Sequence, residues 1–287
     1  MGIVNVTPDS FSDGGAFLDP DAALAHARRL IAEGADVLDI GGESTRPRAV
    51  PVGESEEIAR VIPVIEQLRR ESQIPISIDS MKPAVARAAV AAGATMWNDV
   101  TALRFAPDSL ATAAELGCEV VLMHMQGEPR TMQVAPRYDD VVSEVSAFLA
   151  ARAEAAMAAG VARAKIWFDP GIGFGKTAAH SLALLQGLDR IVALGFPMLV
   201  GASRKSAIAR IARDKSTEAQ RLGGSIAAAL AAARAGAAML RVHDVPETRQ
   251  ALAVAAAISL SSPAGGGGPR SGGGGSKPGS PSGNEDA

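Results

Sequence analysis

Short apolar runs recur along the chain, each followed by a Gly-rich or polar turn and then by an Ala-rich stretch with helical periodicity. The runs lie at 2–6, 36–40, 75–78, 95–97, 119–123, 165–168, 197–200 and 239–242, and they predict eight strands. Helices are predicted between them, for example at 21–33, 54–71, 83–92, 138–159 and 216–235. Strands that alternate with helices in one uninterrupted series form a parallel sheet, and eight of them suit closure into a TIM-type (β/α)8 barrel. The competing architecture, an open doubly wound sheet, would usually carry fewer strands and a Gly-rich dinucleotide turn after the first. The barrel is the predicted fold.

The polar residues at the ends of these runs sharpen the picture. Asn5, Glu43, Asp79, Asn98, Asp99, His124, Asp169, the Ser203–Arg204–Lys205 triplet, Arg241 and His243 each close or follow a run. In a barrel these points meet at the C-terminal rim, where strand–helix loops build active sites. One polar cap would mean little, but carboxylates and cations converging on a single rim read as an enzyme site. The loops at 5–15 and 41–48 are long and polar, as functional loops tend to be.

Composition sets the limits. Of 287 residues, 47% are apolar and 21% charged, which is enough to bury a core and excludes global disorder. From residue 261 to 287 the chain is Gly, Ser and Pro with few charges, so the folded domain is expected at 1–260 and a disordered tail beyond it. A net charge of −3 gives no basic footprint for nucleic acid. The single cysteine, Cys118, excludes a disulfide framework and fits a reducing compartment, where it is expected to be inert. No stretch reaches the ~18–20 apolar residues of a spanning helix, so no membrane partner is expected and the predicted location is the cytoplasm.

The segment DPGIGFGKT at 169–177 resembles a phosphate loop only superficially. That loop needs four residues between its first Gly and the Gly-Lys pair, whereas Gly171 leaves only three before Gly175. Its glycines are expected to let a loop approach a flat ligand, with Phe174 as a wall. His26 and His180 read as helix residues without metal spacing. Arg241 and His243, two apart on an extended strand, face the same way and suit an anion. Met123, Met125 and Met132 read as apolar wall and Trp97 as core.

In this order MGIVNVTPDSFSDGG, DIGGESTRP, SIDS, WNDV, MHMQGEP, FDPGIGFGKT, GASRKS and RVHDV resemble the dihydropteroate synthases, over residues 1 to about 256. The resemblance implies an α/β barrel that condenses 6-hydroxymethyl-7,8-dihydropterin pyrophosphate with p-aminobenzoate, is inhibited by sulfonamides, and is a homodimer. It implies Asn5 as a ligand of Mg²⁺. It implies Asp79, Asn98 and Asp169 on the pterin edge, Lys205 on its oxo side, Arg241 against its face, and Arg241 with His243 on the phosphates. Phe11 and Asp13 on the first loop, Thr45, Arg46 and Pro47 on the second, and Ser206 would enclose the aminobenzoate. Met123, Phe174, Gly201 and Val242 complete the implied substrate-binding set, and Asp13, Arg46, Lys205, Arg241 and His243 the catalytic one. Arg48, Ser181 and Ala207 depart from the usual family residues. A methyltransferase acting on a folate would share the Asp/Asn contacts but has no use for a pyrophosphate site, and a catalytically dead binding protein would not keep the whole set.

Overall fold

The computed structural model describes residues 1–7, 20–45, 49–128 and 131–261. Phe11, Asp13, Arg46, Pro47, Arg48 and the tail beyond 261 lie outside the described residues. Among the described residues there are eight strands: β1 (Gly2–Asn5), β2 (Leu38–Gly41), β3 (Ile76–Asp79), β4 (Met96–Asp99), β5 (Glu119–Met123), β6 (Ile166–Asp169), β7 (Leu199–Val200) and β8 (Met239–Leu240). The first six pair in parallel in sequence order and the last two with each other. Single bridges, Phe168 to Met198 and Gly2 to Val242, join the two sheets and close the ring. The described residues thus form the expected barrel.

Several strands run one or two residues further than the apolar runs suggest. Asp79, Asn98, Asp99 and Asp169 belong to the ladder itself rather than to the turns after it. Successive side chains alternate across a strand, so Val4, Leu38, Ile40, Ile78, Leu122 and Phe168 pack outward against the helices. Met1, Met96, Val121 and Leu199, with Trp167 and Met239, fill the lower barrel. Above that plug the inward positions turn polar.

The outer layer holds α1 (Pro20–Ala32), α2 (Glu54–Glu71), α3 (Pro83–Ala91), α4 (Ser109–Leu116), α5 (Val141–Ala158), α6 (Ala178–Gln186), α7 (Leu188–Val192), α8 (Ser206–Ala212), α9 (Leu222–Arg234) and α10 (Val245–Ser261). Helix α5 starts later than 138 because Asp140 caps it, accepting from the N–H groups of Val142 and Ser143 at 3.0 and 3.2 Å. The predicted helix at 216–235 is divided. Thr217 and Gln220 cap a 3-10 turn over Glu218–Arg221, and α9 follows it. No helix among the described residues is long and apolar enough to cross a membrane.

Candidate functional site

A cavity of about 720 Å³ opens at the C-terminal rim of the barrel. Asn5, Thr45, Asp79, Asn98, Met123 and Asp169 line it, together with Phe174, Gly201, Lys205, Ser206, Arg241 and His243. These are the described sequence-derived site residues with one exception. Val242 is on the opposite face of its strand from Arg241 and His243, and its side chain packs in the outer core. Its backbone makes the barrel closure, with Ile3 N–H donating to Val242 O at 3.2 Å and Val242 N–H to Met1 O at 3.0 Å.

The polar groups divide by strand. β3, β4 and β6 supply acceptors: Asp79, Asn98 and Asp169. The ends of β7 and β8 supply Lys205, Arg241 and His243. The two arcs touch through Arg241, whose Nε donates to Asp39 Oδ2 at 2.5 Å and whose terminal nitrogen donates to Asp79 Oδ2 at 2.7 Å. Burial would lower the pKa of this guanidinium, but attraction to Asp39 and Asp79 outweighs it and raises the value. Burial, with the Asp39 and Glu57 carboxylates nearby, lifts Asp79 above the usual carboxylate range despite Arg241. Burial also raises Asp169 to about 6, against the opposing N–H of Gly171, which donates to Asp169 Oδ1 at 2.7 Å.

His243 is not a cation at neutral pH. Burial first, then Arg241 beside it, depress it to about 3. The Ser203 hydroxyl accepts from the His243 backbone N–H at 3.2 Å and lies 3.0 Å from its Nδ1. In the tautomer where the hydroxyl donates to Nδ1, Nε2 carries the ring N–H. Lys205 carries its ammonium 3.8 Å above the Phe174 ring, so Phe174 is a wall of the cavity and a support for a cation.

Two rim candidates, Asp99 and His124, turn elsewhere because of strand alternation. Asp99 faces away from the cavity and accepts from the Thr101 and Leu103 N–H groups at 2.7 and 2.8 Å, capping its own loop. His124 packs edge-on against Phe148, and burial with Lys176 beside it lowers its pKa to about 3. Arg204, in the turn after β7, lines the cavity and pairs with Asp244, its Nε 3.0 Å from Oδ2. His180 completes the capping box of α6 with Thr177, and His26 Nε2 meets Ile3 O at 3.1 Å. Trp97 is fully buried, and its indole N–H donates to Ser80 O at 2.6 Å. Of the departures, Ser181 is buried with its hydroxyl on Thr177 O at 2.9 Å, and Ala207 is buried in α8.

Of the glycines of 169–177, Gly171 and Gly173 line the cavity, and Gly171 and Gly175 also bring loop to loop. At Gly171 a Cβ would stand 2.0 Å from His124 O, and at Gly175 2.4 Å from Gln126 O, both at positive φ. Lys176, only 2% exposed, fastens the same junction. Its ammonium reaches His124 Nδ1 at 2.8 Å, His124 O at 3.2 Å and Phe174 O at 3.0 Å, and burial lowers its pKa to about 7. Glu43, at the base of the second loop, is held in a buried triad: Lys82 Nζ lies 2.5 Å from both Glu43 and Glu57. Asp39, Lys176, Lys82 and Glu57 were not among the sequence-derived candidates.

A closed barrel whose rim sets hydrogen-bond acceptors opposite cations defines a class: an enzyme for a flat, donor-bearing, anionic substrate. The profile of a family described as "Pterin binding enzyme" matches residues 1–243. The dihydropteroate synthase of Haemophilus influenzae is 47% identical over 254 residues, covering 88% of this chain and 91% of that one. The structure of Xanthomonas albilineans dihydropteroate synthase with 4-aminobenzoic acid has 53% identity and a TM-score of 0.84, covering 90% and 92% of the two chains. A second structure from that organism, in complex with 7,8-dihydropteroate, has 52% identity and a TM-score of 0.81, with the same coverage. The chain belongs to the dihydropteroate synthase family.

Proposed function

We propose that the chain joins 6-hydroxymethyl-7,8-dihydropterin pyrophosphate to p-aminobenzoate, giving dihydropteroate and pyrophosphate. The observation that carries this reading is the division of one cavity into an acceptor arc and a cation arc. A pterin offers an amino group and ring N–H donors, which Asp79, Asn98 and Asp169 accept, while Lys205 donates to its oxo group. Each hydrogen bond to a charged group contributes about 1.5–3 kcal/mol. Arg241 holds Asp79 through Oδ2, and a carboxylate with two oxygens can accept from the pterin as well, with the guanidinium against the ring and within reach of the phosphates.

In the reaction a C–N bond forms between the arylamine nitrogen and the pterin methylene, and the methylene C–O bond breaks. The electron pair leaves with pyrophosphate, and the amine proton passes to solvent. An arylamine is a weak nucleophile because its lone pair is delocalised, so the site's task is to ease the departure of pyrophosphate. Arg241 and the Nε2–H of neutral His243 donate to it. The electron-rich pterin supports charge on the methylene, and no strong general base is needed. Thr45 and Ser206, with Phe11, Asp13, Arg46 and Pro47, form the aminobenzoate pocket in this reading.

Mg²⁺ keeps several waters and binds through one or two protein oxygens plus substrate phosphates. The amide of Asn5, at the end of β1 and on the cavity wall, fits that limited part. Among the described residues no cluster of His, Cys, Asp or Glu forms an all-protein cage. When bound, the ion would neutralise charge on the departing pyrophosphate.

The test is pyrophosphate release that requires both substrates and Mg²⁺. Asp169→Asn should keep the fold and weaken pterin binding by about 1.5–3 kcal/mol, the contribution of one charge-assisted bond. Unchanged pterin affinity in calorimetry would remove Asp169 from the site.

A further inference from the structure

Asp39 is fully buried in the middle of β2 and does not line the cavity. It is flanked by outward-facing Leu38 and Ile40 and sits in register between Ile3 of β1 and Ser77 of β3, one layer below Asp79 and Asn98. One of its oxygens, Oδ2, accepts from Arg241 Nε at 2.5 Å and from Asn98 Nδ2 at 3.2 Å. The other, Oδ1, is buried without a partner. A carboxylate buried with an unmatched oxygen is costly to keep, and its neighbours along the strand are apolar. Its two side-chain partners, Arg241 and Asn98, are both cavity residues.

We propose that Asp39 is a positioning residue for the pterin, acting from beneath the cavity floor through Asn98 and Arg241; this rests on the reading of Asn98 as a pterin contact. A carboxylate can only accept, so the Asn98 amide must turn its nitrogen down to Asp39 and leave its oxygen as the atom offered to the cavity. The floor then presents acceptors throughout: Asp79, the Asn98 oxygen and Asp169. A flipped Asn98 would set a donor among them, facing the donors of the ligand. The same oxygen of Asp39 holds Arg241 by Nε, while a terminal nitrogen of that guanidinium holds Asp79 Oδ2.

Three variants and one measurement on the wild-type enzyme test the proposal, with calorimetric binding of the pterin pyrophosphate as the common assay. Asp39→Leu should lower pterin affinity on the order of tenfold or more, the fold-change of one charged hydrogen bond; removing one member of a buried ion pair also costs stability, so binding is measured well below the melting temperature of the variant. Asp39→Asn keeps an acceptor for the Asn98 amide and should retain most of the affinity. Asn98→Ala is the control: if it binds the pterin as the wild type does, Asn98 is no pterin contact and the underlying reading fails first. If Asn98→Ala weakens binding and a folded Asp39→Leu does not, the role of Asp39 is overturned. Loss of affinity in Asp39→Asn equal to that in Asn98→Ala overturns it as well. The wild-type measurement is independent of how any Asp39 variant folds. One Asn98 side-chain amide proton, assigned in ¹⁵N spectra as the resonance missing from Asn98→Ala, should exchange slowly with D₂O. Fast exchange of both protons would overturn the proposal.

Discussion

Gly171, Gly173 and Gly53 together separate two physical effects at the loop that follows β6. Gly171 has φ +65°, and a methyl group there would lie 2.0 Å from His124 O. Gly173 has φ +83°, but its nearest neighbour would be Lys205 Cδ at 3.4 Å, an ordinary contact. Gly53, the N-cap of α2, has φ −68° and nothing within 4 Å. Placing Ala at positive φ costs about 1–2 kcal/mol, partly offset by about 0.4–1 kcal/mol from the stiffer unfolded chain. Gly173→Ala should therefore lose about 1 kcal/mol. Gly171→Ala adds a backbone collision that no rotamer relieves, and overpacking costs about 1–3 kcal/mol more, for a total of about 2–4 kcal/mol. Relief of the collision would part the loop from β5 and strain the bond from the Gly171 N–H to Asp169, so pterin affinity should fall with stability. Gly53→Ala should be near neutral, since the gain from the unfolded chain offsets a poorer N-cap. Urea denaturation gives the stabilities and calorimetry the affinities. If Gly171→Ala and Gly173→Ala agreed within about 0.5 kcal/mol, the usual scatter of surface substitutions, the two loops would not be clamped as described.

Protonating His124 would set a second cation beside Lys176. Its folded pKa of about 3 lies below the ordinary value of 6.5, so the stability it confers is complete above pH 6.5 and is lost as pH falls toward 3, at up to about 1.4 kcal/mol per pH unit. Melting curves across that range should be flatter for His124→Asn than for the wild type; parallel curves would refute the assignment. Lys82→Met leaves Glu43 and Glu57 as buried carboxylates without their cation and should cost about 3–5 kcal/mol, read from the urea midpoint; a loss under about 1 kcal/mol, the range of an exposed pair, would contradict the buried triad. Cys118 is buried and burial raises its thiol pKa, so a disulfide reagent should label it far more slowly in the native protein than in urea. Immediate native labelling would refute that burial.

The barrel was legible because each strand carries its own local signal, a short apolar run between a helix end and a polar turn. Ending the strands one or two residues short hid something useful, since Asp79, Asn98 and Asp169 are ladder residues and obey its alternation. Carried one residue further, that alternation separates Asn98 from Asp99, Met123 from His124, and Arg241 from Val242, inward from outward in each pair. Asp39 gave no such hint. It stands between Leu38 and Ile40 inside an apolar run, and its partners are 59 and 202 residues away. Lys176 was hidden similarly, since the Gly-rich segment around it invites comparison with phosphate loops while its partner His124 lies 52 residues upstream.

The ring closes at its thinnest place. β7 and β8 have two residues each, and single bridges tie them to β6 and β1. Arg241 follows β8 and spans that gap to Asp39 and Asp79. As the chain emerges from the ribosome, its first six strands can assemble with the carboxylates of the floor already gathered, but the guanidinium that balances them, Arg241, comes only after β8 and just ahead of α10. Until then Lys205 is the cation of the second arc that faces those carboxylates, and the pairs to Asp39 and Asp79 form only with the docking of β8. In the finished protein the relation runs the other way: a ligand that engages both arcs fastens the seam, and any opening of the seam releases the ligand while most of the barrel is still folded.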